Sequence, residues 1–283
     1  PEMNVTANQS RFGFDIGGPE SDRIETGGRF EVDFYGGGPG ENKANPRMRH
    51  AYLWVRWKER DLELIAGQTW DLVGLKNYCP TINLHPGWWA GNIGFRHAQL
   101  TVHKMWKMEE HRLEGAFGLT RTIGTDSGFG PGDSGEDNDF PTLQGRLGLF
   151  MPLLAGEAMF ALSGHYGGEE YDTAVDDRGE DFDSWSLCFD FTLPLHERVK
   201  LNGCFFTGEN LDDYYGGIGQ GVNTTTSTEI ASTGGFINLC LFNLVPSWHF
   251  NFGFGIDDPD NDDLNANDRA RNMNVYGNAK YWL

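Results

Sequence analysis

Apolar residues recur at every second position over short stretches of this chain. Phe12, Phe14 and Ile16 alternate with Arg11, Gly13 and Asp15; Leu147, Leu149, Met151 and Leu153 alternate with Arg146, Gly148, Phe150 and Pro152. Trp248, Phe250, Phe252, Phe254 and Ile256 face away from His249, Asn251, Gly253, Gly255 and Asp257. A period of two sends successive side chains to opposite faces of an extended strand. Reading for it divides the chain into about thirteen segments, near residues 4–17, 27–36, 47–59, 62–73, 94–107, 111–123, 141–154, 157–170, 183–194, 198–209, 232–245, 247–257 and 270–283. Each is long enough to include the roughly nine to eleven residues that a tilted strand needs to cross a bilayer.

The connections between segments alternate in length. Short ones fall near 59–61, 109–110, 155–156, 195–197 and 246–247. Long ones, rich in Gly, Asp, Asn and Thr, span 36–46, 73–94, 124–140, 169–183, 210–231 and 257–269. Tight turns at one end and long loops at the other are the asymmetry of outer-membrane barrels, which pair every backbone group without an edge exposed to lipid. The expectation is a single all-β domain over 1–283, a transmembrane antiparallel up-and-down barrel. Single-chain bacterial barrels have even strand numbers, so about fourteen to sixteen strands are expected in all, with closing strands beyond the C-terminal residue. A soluble β-sandwich also alternates, but it buries its apolar face between two sheets.

Composition sharpens this reading. No run of 18 apolar residues exists, which excludes a transmembrane helix and says nothing of strands. The chain begins Pro1-Glu2-Met3, without a basic and apolar leader, so any leader is expected to have been removed or left out. Tyr52, Trp54, Trp57, Trp70, Trp88, Trp89, Trp106, Trp185, Trp248, Tyr281 and Trp282 cluster near segment ends, as aromatic girdles at the headgroup level do. The net charge of −19 comes without any basic stripe, which argues against a nucleic-acid partner.

Enzyme signatures are absent: no GxSxG, HExxH or paired-carboxylate motif stands in a suitable context. Ser163 and His165 share one strand and one face, which does not suit an outer-membrane hydrolase. Asp258, Asp260, Asp262 and Asp263 offer hard oxygens for a divalent cation, with calcium held loosely. The run is not an EF-hand, because Asp263 and Arg269 stand where that loop has glycine and an acid. No other cofactor is expected. The four cysteines lack CxxC spacing. Cys188 and Cys204 lie on consecutive strands, and a cross-strand disulfide forms if they oppose each other; two free buried thiols are the alternative. Cys79 and Cys240 have no assignment.

Several stretches resemble a known family. Arg11-Phe12-Gly13-Phe14-Asp15, the EVDFYG run of 31–36, Arg47, Arg49, Ala51 and Tyr52 in an RxRxAY pattern, and the GQTW run of 67–70 are similar to the opening strands of the DcaP-like trimeric porins. Arg96-His97-Ala98-Gln99 and the stretches 255–263 and 272–281 extend the likeness over most of the chain. The resemblance implies a trimeric barrel in the outer membrane of a Gram-negative bacterium, in contact with lipid and lipopolysaccharide, passing small hydrophilic and often anionic solutes such as dicarboxylates.

Selectivity in such a pore comes from width and lining charge. Alternation puts Arg11, Arg29 and Arg146 in the lumen; the resemblance adds Arg47, Arg49, Gln68 and Arg96, with Tyr52 and Trp54 outward. These arginines would guide anions, or else pair with Glu31, Asp33 and Glu63 on neighbouring strands. Among the loops, 75–92 is unusually apolar; as in trimeric porins it would latch onto a neighbouring subunit, or fold inward as a constriction. The 214–230 stretch is a second inward candidate. The rival functions are a non-conducting structural barrel that anchors or scaffolds a larger complex, and a soluble secreted glycan-binding β-protein.

Overall fold

The computed structural model describes residues 7–8, 10–37, 44–74, 87–122, 138–173 and 176–282. Its strands are β1 (Phe12–Glu20), β2 (Ile24–Asp33), β3 (Arg47–Trp57), β4 (Leu62–Trp70), β5 (Arg96–Lys107), β6 (Arg112–Thr120), β7 (Thr142–Leu153), β8 (Gly156–Thr173), β9 (Asp176–His196), β10 (Val199–Glu209), β11 (Val222–Asn223), β12 (Thr228–Glu229), β13 (Ala231–Val245), β14 (Trp248–Pro259) and β15 (Asn272–Tyr281). β11 and β12 form a small ribbon within a loop. The other thirteen make one sheet in which every strand pairs with its neighbours in the chain, all the described pairings being antiparallel. Among the described residues no pairing joins β1 to β15.

The alternation read from the sequence is the division between the two faces. Phe12, Leu53, Leu147, Leu162, Leu187 and Phe252 each leave more than half of their surface uncovered. Leaving a large apolar side chain in water forfeits about 1.5–3 kcal/mol, so this belt requires lipid. A soluble sandwich would bury that face against a second sheet, and among the described residues the only other sheet is the small β11–β12 ribbon. The opposite face carries Gln144, Ser163, His165, Asp190, Asn202 and Asn238, all buried.

The sheet curls with this polar face inside. Tyr214 stacks on His97 of β5 at 5.0 Å and on His165 of β8 at 3.7 Å. In a flat sheet those strands would lie about 14 Å apart, so a single ring could not meet both. Trp106, Trp248, Tyr281 and Trp282 gather, exposed, at the short-turn end and fit an aromatic girdle.

Two local expectations are corrected. The 169–183 stretch is largely not a loop: β8 and β9 run to 18 and 21 residues and stay paired as far as Thr173 and Asp176, a hairpin longer than a bilayer crossing needs. Tyr52 and Trp54 do not face outward, because Leu53 between them is the exposed residue and the Trp54 ring lies against Gly27.

Cys188 and Cys204 are free thiols. Cys188 stands opposite Phe206 and Cys204 opposite Asp190, so the two are diagonal neighbours. Their sulfurs are 3.7 Å apart, against about 2.05 Å for a disulfide. Cys240 is disulfide-bonded, and Cys79 lies outside the described residues. Since both free thiols are fully buried, a membrane-impermeant maleimide should leave the folded protein unlabelled and modify two thiols after denaturation. Labelling of the folded barrel would show that the inner wall is more open than this packing.

Candidate functional site

The interior is occupied by two loops that cross it. After β4 the chain turns inward. The Leu72 N–H donates to Gln144 Oε1 at 2.8 Å, the Gly74 N–H to Ser163 Oγ at 3.3 Å, and Arg146 Nη1 donates to the Gly74 carbonyl at 3.2 Å. The returning segment 87–95 crosses to the far wall, where the Asn272 side-chain amide donates to the Trp89 carbonyl at 2.6 Å. Gly91 and Gly255 permit this approach. A Cβ on Gly255 would lie 2.1 Å from the Ala90 carbonyl oxygen, and one on Gly91 would lie 2.1 Å from that of Gly235. Gly91 also has φ +112, a conformation natural to glycine.

The second loop, between β10 and β13, packs on the first. The Trp89 N–H donates to the Tyr215 carbonyl and the Gly94 N–H to that of Tyr214, both at 2.7 Å. The Tyr215 ring lies 4.5 Å from Trp88 and 4.4 Å from Phe95. Val73, Ile93, Leu211 and Tyr214 then fill one side of the lumen against Ala161, Cys188, Cys204, Phe206 and Phe236. So the inward alternative holds for the described ends of the 75–92 loop; residues 75–86 lie outside the described stretches. Of the 214–230 stretch the first part is inward, through Tyr214, Tyr215 and Ile218, whereas residues 224–228 are exposed. Trp70 and Trp88 belong to this interior cluster and not to a girdle.

Where the two loops meet the wall, polar groups pair closely. His97 Nδ1 and Asp71 Oδ1 are 2.7 Å apart, and the Phe95 N–H donates to Asp71 Oδ2 at 2.6 Å. Burial raises the Asp71 carboxyl, but the His97 ring, the Phe95 N–H and the Gln144 amide outweigh it and hold the group below the ordinary carboxylate range. Burial and the nearby Asp71 push the Tyr214 hydroxyl well above its usual value. It stays a neutral phenol and accepts from Gln144 Nε2 at 3.1 Å.

The arginines fall into three groups. Arg11 and Arg29 are exposed or half-exposed, Arg29 pairing with Asp15 at 3.1 Å. Arg47 and Arg49 are neutralised: Arg47 grips Asp33 through two hydrogen bonds at 3.0 and 2.7 Å, and Arg49 reaches Glu31 at 2.6 Å and Asp33 at 3.0 Å. Arg146, on β7, is held bidentately by Asp190 at 2.8 and 2.7 Å. Pairing with Glu31 and Asp33 is thus the outcome for Arg47 and Arg49. Glu63 pairs instead with Arg56. Gln68 stands opposite Ala51 and Ala98 and donates to the Met48 carbonyl at 3.0 Å, apart from the arginines.

Arg96 is different. Its residue is 2% exposed, and none of its three guanidinium nitrogens has a hydrogen-bond partner. The guanidinium lies 4.5 Å from the Trp70 ring centre and 4.6 Å from that of Phe95, with Trp88 at 6.0 Å. Strict alternation puts Arg96 on the belt side with Leu100, yet as the first residue of β5 it is covered by these rings. The same three aromatics border a cavity of about 260 Å³ also lined by Asp71, Gln99 and His103. Cation–π contacts offset part of the cost of burying such a charge, but they satisfy no N–H donor.

The remaining site expectations separate. Asp258 pairs with Arg271 at 3.1 Å, Asp260 accepts from the Asp262 N–H within the loop, and Asp263 accepts from the Ala231 N–H at the start of β13. Among the described residues, the acids whose oxygens converge are Glu169, Asp212 and Asp213. His165 lies between Ser186 Oγ at 2.7 Å and Ser184 Oγ at 2.9 Å, while Ser163 receives the Gly74 N–H; the two do not form a nucleophile–base pair.

No protein-family model matches the chain, and no curated protein matches it by sequence. In structure it is similar to the outer membrane channel DcaP of Acinetobacter baumannii, with a TM-score of 0.74 and 19% identity over 98% of this chain and 75% of that one. It is also similar to an anion-selective porin from Comamonas acidovorans, with a TM-score of 0.58 and 13% identity over 92% of this chain and 71% of that one. The likeness to DcaP agrees with the resemblance carried by the strand motifs, and together with the lipid-facing belt it establishes the chain's fold as the antiparallel up-and-down fold of outer-membrane β-barrels.

Proposed function

We propose that this protein is an outer-membrane porin, a passive channel for small hydrophilic solutes that prefers anions such as small carboxylates. It would work as a trimer in the outer membrane of a Gram-negative bacterium, against lipid and lipopolysaccharide. The observation that carries the anion preference is Arg96. A permanently charged guanidinium with unused donors, set behind the three rings that border the cavity, is complementary to a planar carboxylate, which can accept two of its N–H groups when those rings give way. Arg47 and Arg49 add positive charge nearby, but Glu31 and Asp33 largely cancel it. The role is guidance, not chemistry, and no enzymatic activity is proposed.

The two inward loops favour a second reading, a lumen closed by its own loops, in which the barrel serves as an anchor or scaffold. Single-channel recording in planar bilayers, with reversal potentials under a salt gradient, separates the two. The expected result is an anion-preferring conductance whose permeability ratio falls toward unity in Arg96→Ala and is unchanged in Arg29→Ala. An anion preference undiminished in Arg96→Ala would remove that residue from the account. Inserted protein that never conducts would favour the closed barrel.

A further inference from the structure

Beyond the channel, one cluster of side chains has no role in solute passage. Glu169 is the fourteenth residue of β8, past the length a strand needs to cross the bilayer, on the hairpin that projects at the long-loop end. Asp212 and Asp213 begin the tight turn Asp212–Tyr214 in the loop opposite. One carboxylate oxygen from each of the three lies within 4.8 Å of the others, and Glu169 and Asp213 are buried. Oxygens bound to one calcium ion at about 2.4 Å can be no farther apart than this.

Asn210 supplies an independent observation. The residue is fully buried, and its Oδ1 has no hydrogen-bond donor, although its Nδ2 donates to Glu169 Oε2 at 3.0 Å. A buried amide oxygen without a donor is uncommon and points to a missing partner. Its direction is fixed by Gly221. A Cβ there would lie 2.2 Å from Asn210 Oδ1 and 2.4 Å from Asp212 Oδ1, so both oxygens turn toward the same small space, kept free because position 221 has no side chain.

We infer that Glu169, Asn210, Asp212 and Asp213 form a binding site for one hard divalent cation, calcium in preference to magnesium, that pins the 210–230 loop to the β8–β9 hairpin. The donors are all oxygens, three carboxylates and one amide carbonyl, with no imidazole or thiolate, which selects hard ions over zinc or copper. Calcium accepts irregular oxygen shells of this kind, whereas magnesium demands near-octahedral geometry and keeps its waters. Tyr171 completes the frame, its hydroxyl donating to Glu169 Oε2 at 2.7 Å. The 210–230 loop also carries Tyr214 and Tyr215 into the lumen, so an ion here would hold the constriction in place from outside the membrane.

The test is calcium titration by calorimetry of the folded protein in detergent after EDTA treatment, with limited proteolysis of the same samples. One calcium per chain is expected, with calcium slowing cleavage within 210–231. Asp212→Asn and Glu169→Gln should each weaken binding at least tenfold, while Asp260→Asn, in the separate acidic loop, leaves it unchanged. Wild-type protein that binds no calcium at millimolar concentration, or is cleaved equally with and without it, overturns the inference whether or not the variants fold. So does binding that survives in Asp212→Asn and disappears in Asp260→Asn. None of these readouts depends on conductance, so failure here leaves the channel reading standing.

Discussion

Replacing Arg146 by alanine is expected to destabilise the folded barrel by about 3–5 kcal/mol, the range for removing one partner of a buried ion pair. Both side chains are almost wholly out of water: Arg146 is 3% exposed and Asp190 is 0%. Alanine leaves the Asp190 carboxylate buried with its two short hydrogen bonds gone, and it removes the Arg146 donor to Gly74 that holds the first inward loop on the wall. Glu114 approaches Arg146 Nε at 3.5 Å, close enough for charge attraction but not for a hydrogen bond. Urea unfolding followed by tryptophan fluorescence would read the loss. Arg56→Ala supplies the contrast, since Arg56 is half-exposed where it meets Glu63, and a surface pair of this kind is worth about 0–1 kcal/mol. The double variant Arg146→Met with Asp190→Leu should recover most of the loss, because it removes both buried charges and leaves only Glu114, which is partly exposed. A double variant as unstable as the single one would show that the pair is not the cause.

How much of this was legible in the sequence depends on what enforces it. Strand number, order and the faces of most strands were legible, because lipid on one side and polar groups on the other impose a strict period of two. Phe252 and Phe254 outward with Asn251 inward follow from that alone. The register of β3 was not. A shift in its pairing with β2, between Glu31 and Val32, lets Arg47, Arg49 and His50 reach the inner face while Ala51 and Leu53 keep the belt in step. Residues on either side of such an irregularity look alike in one dimension. For that reason alternation could not place Tyr52 and Trp54, and the resemblance put them on the wrong face. Arg96 was named as a site residue through the family resemblance, but its want of a partner depends on where Glu31 and Asp33 turn, and they turn to Arg49 and Arg47. The convergence of Glu169 with Asp212 and Asp213 was not legible either. A run of aspartates is visible in sequence, whereas Glu169 on β8 and Asp212 meet only once the β10–β13 loop has folded against the β8–β9 hairpin.

The fit of the inward loop against the far wall leads to the second large effect. Gly255→Val should displace the 87–95 segment from the lumen and raise single-channel conductance severalfold. A Cβ at 255 would stand 2.1 Å from the Ala90 carbonyl oxygen, far inside contact distance, and that oxygen belongs to backbone that cannot rotate away. Valine is well suited to the strand itself, so β14 can keep its pairing with β13 and β15 while the loop gives way. Stability should fall as well, because Trp89 loses its bond from Asn272 and the packing of Ile93 and Tyr214 loosens. The measurement is conductance in planar bilayers beside the unfolding midpoint. Wider openings with a lowered midpoint fit a loop released from its seat. Unchanged conductance would mean that the segment does not set the width of the passage, and the constriction would then lie with Tyr214 and Tyr215. Substituting Tyr214 by alanine distinguishes these directly, since it removes the ring held between His97 and His165 without touching Ala90.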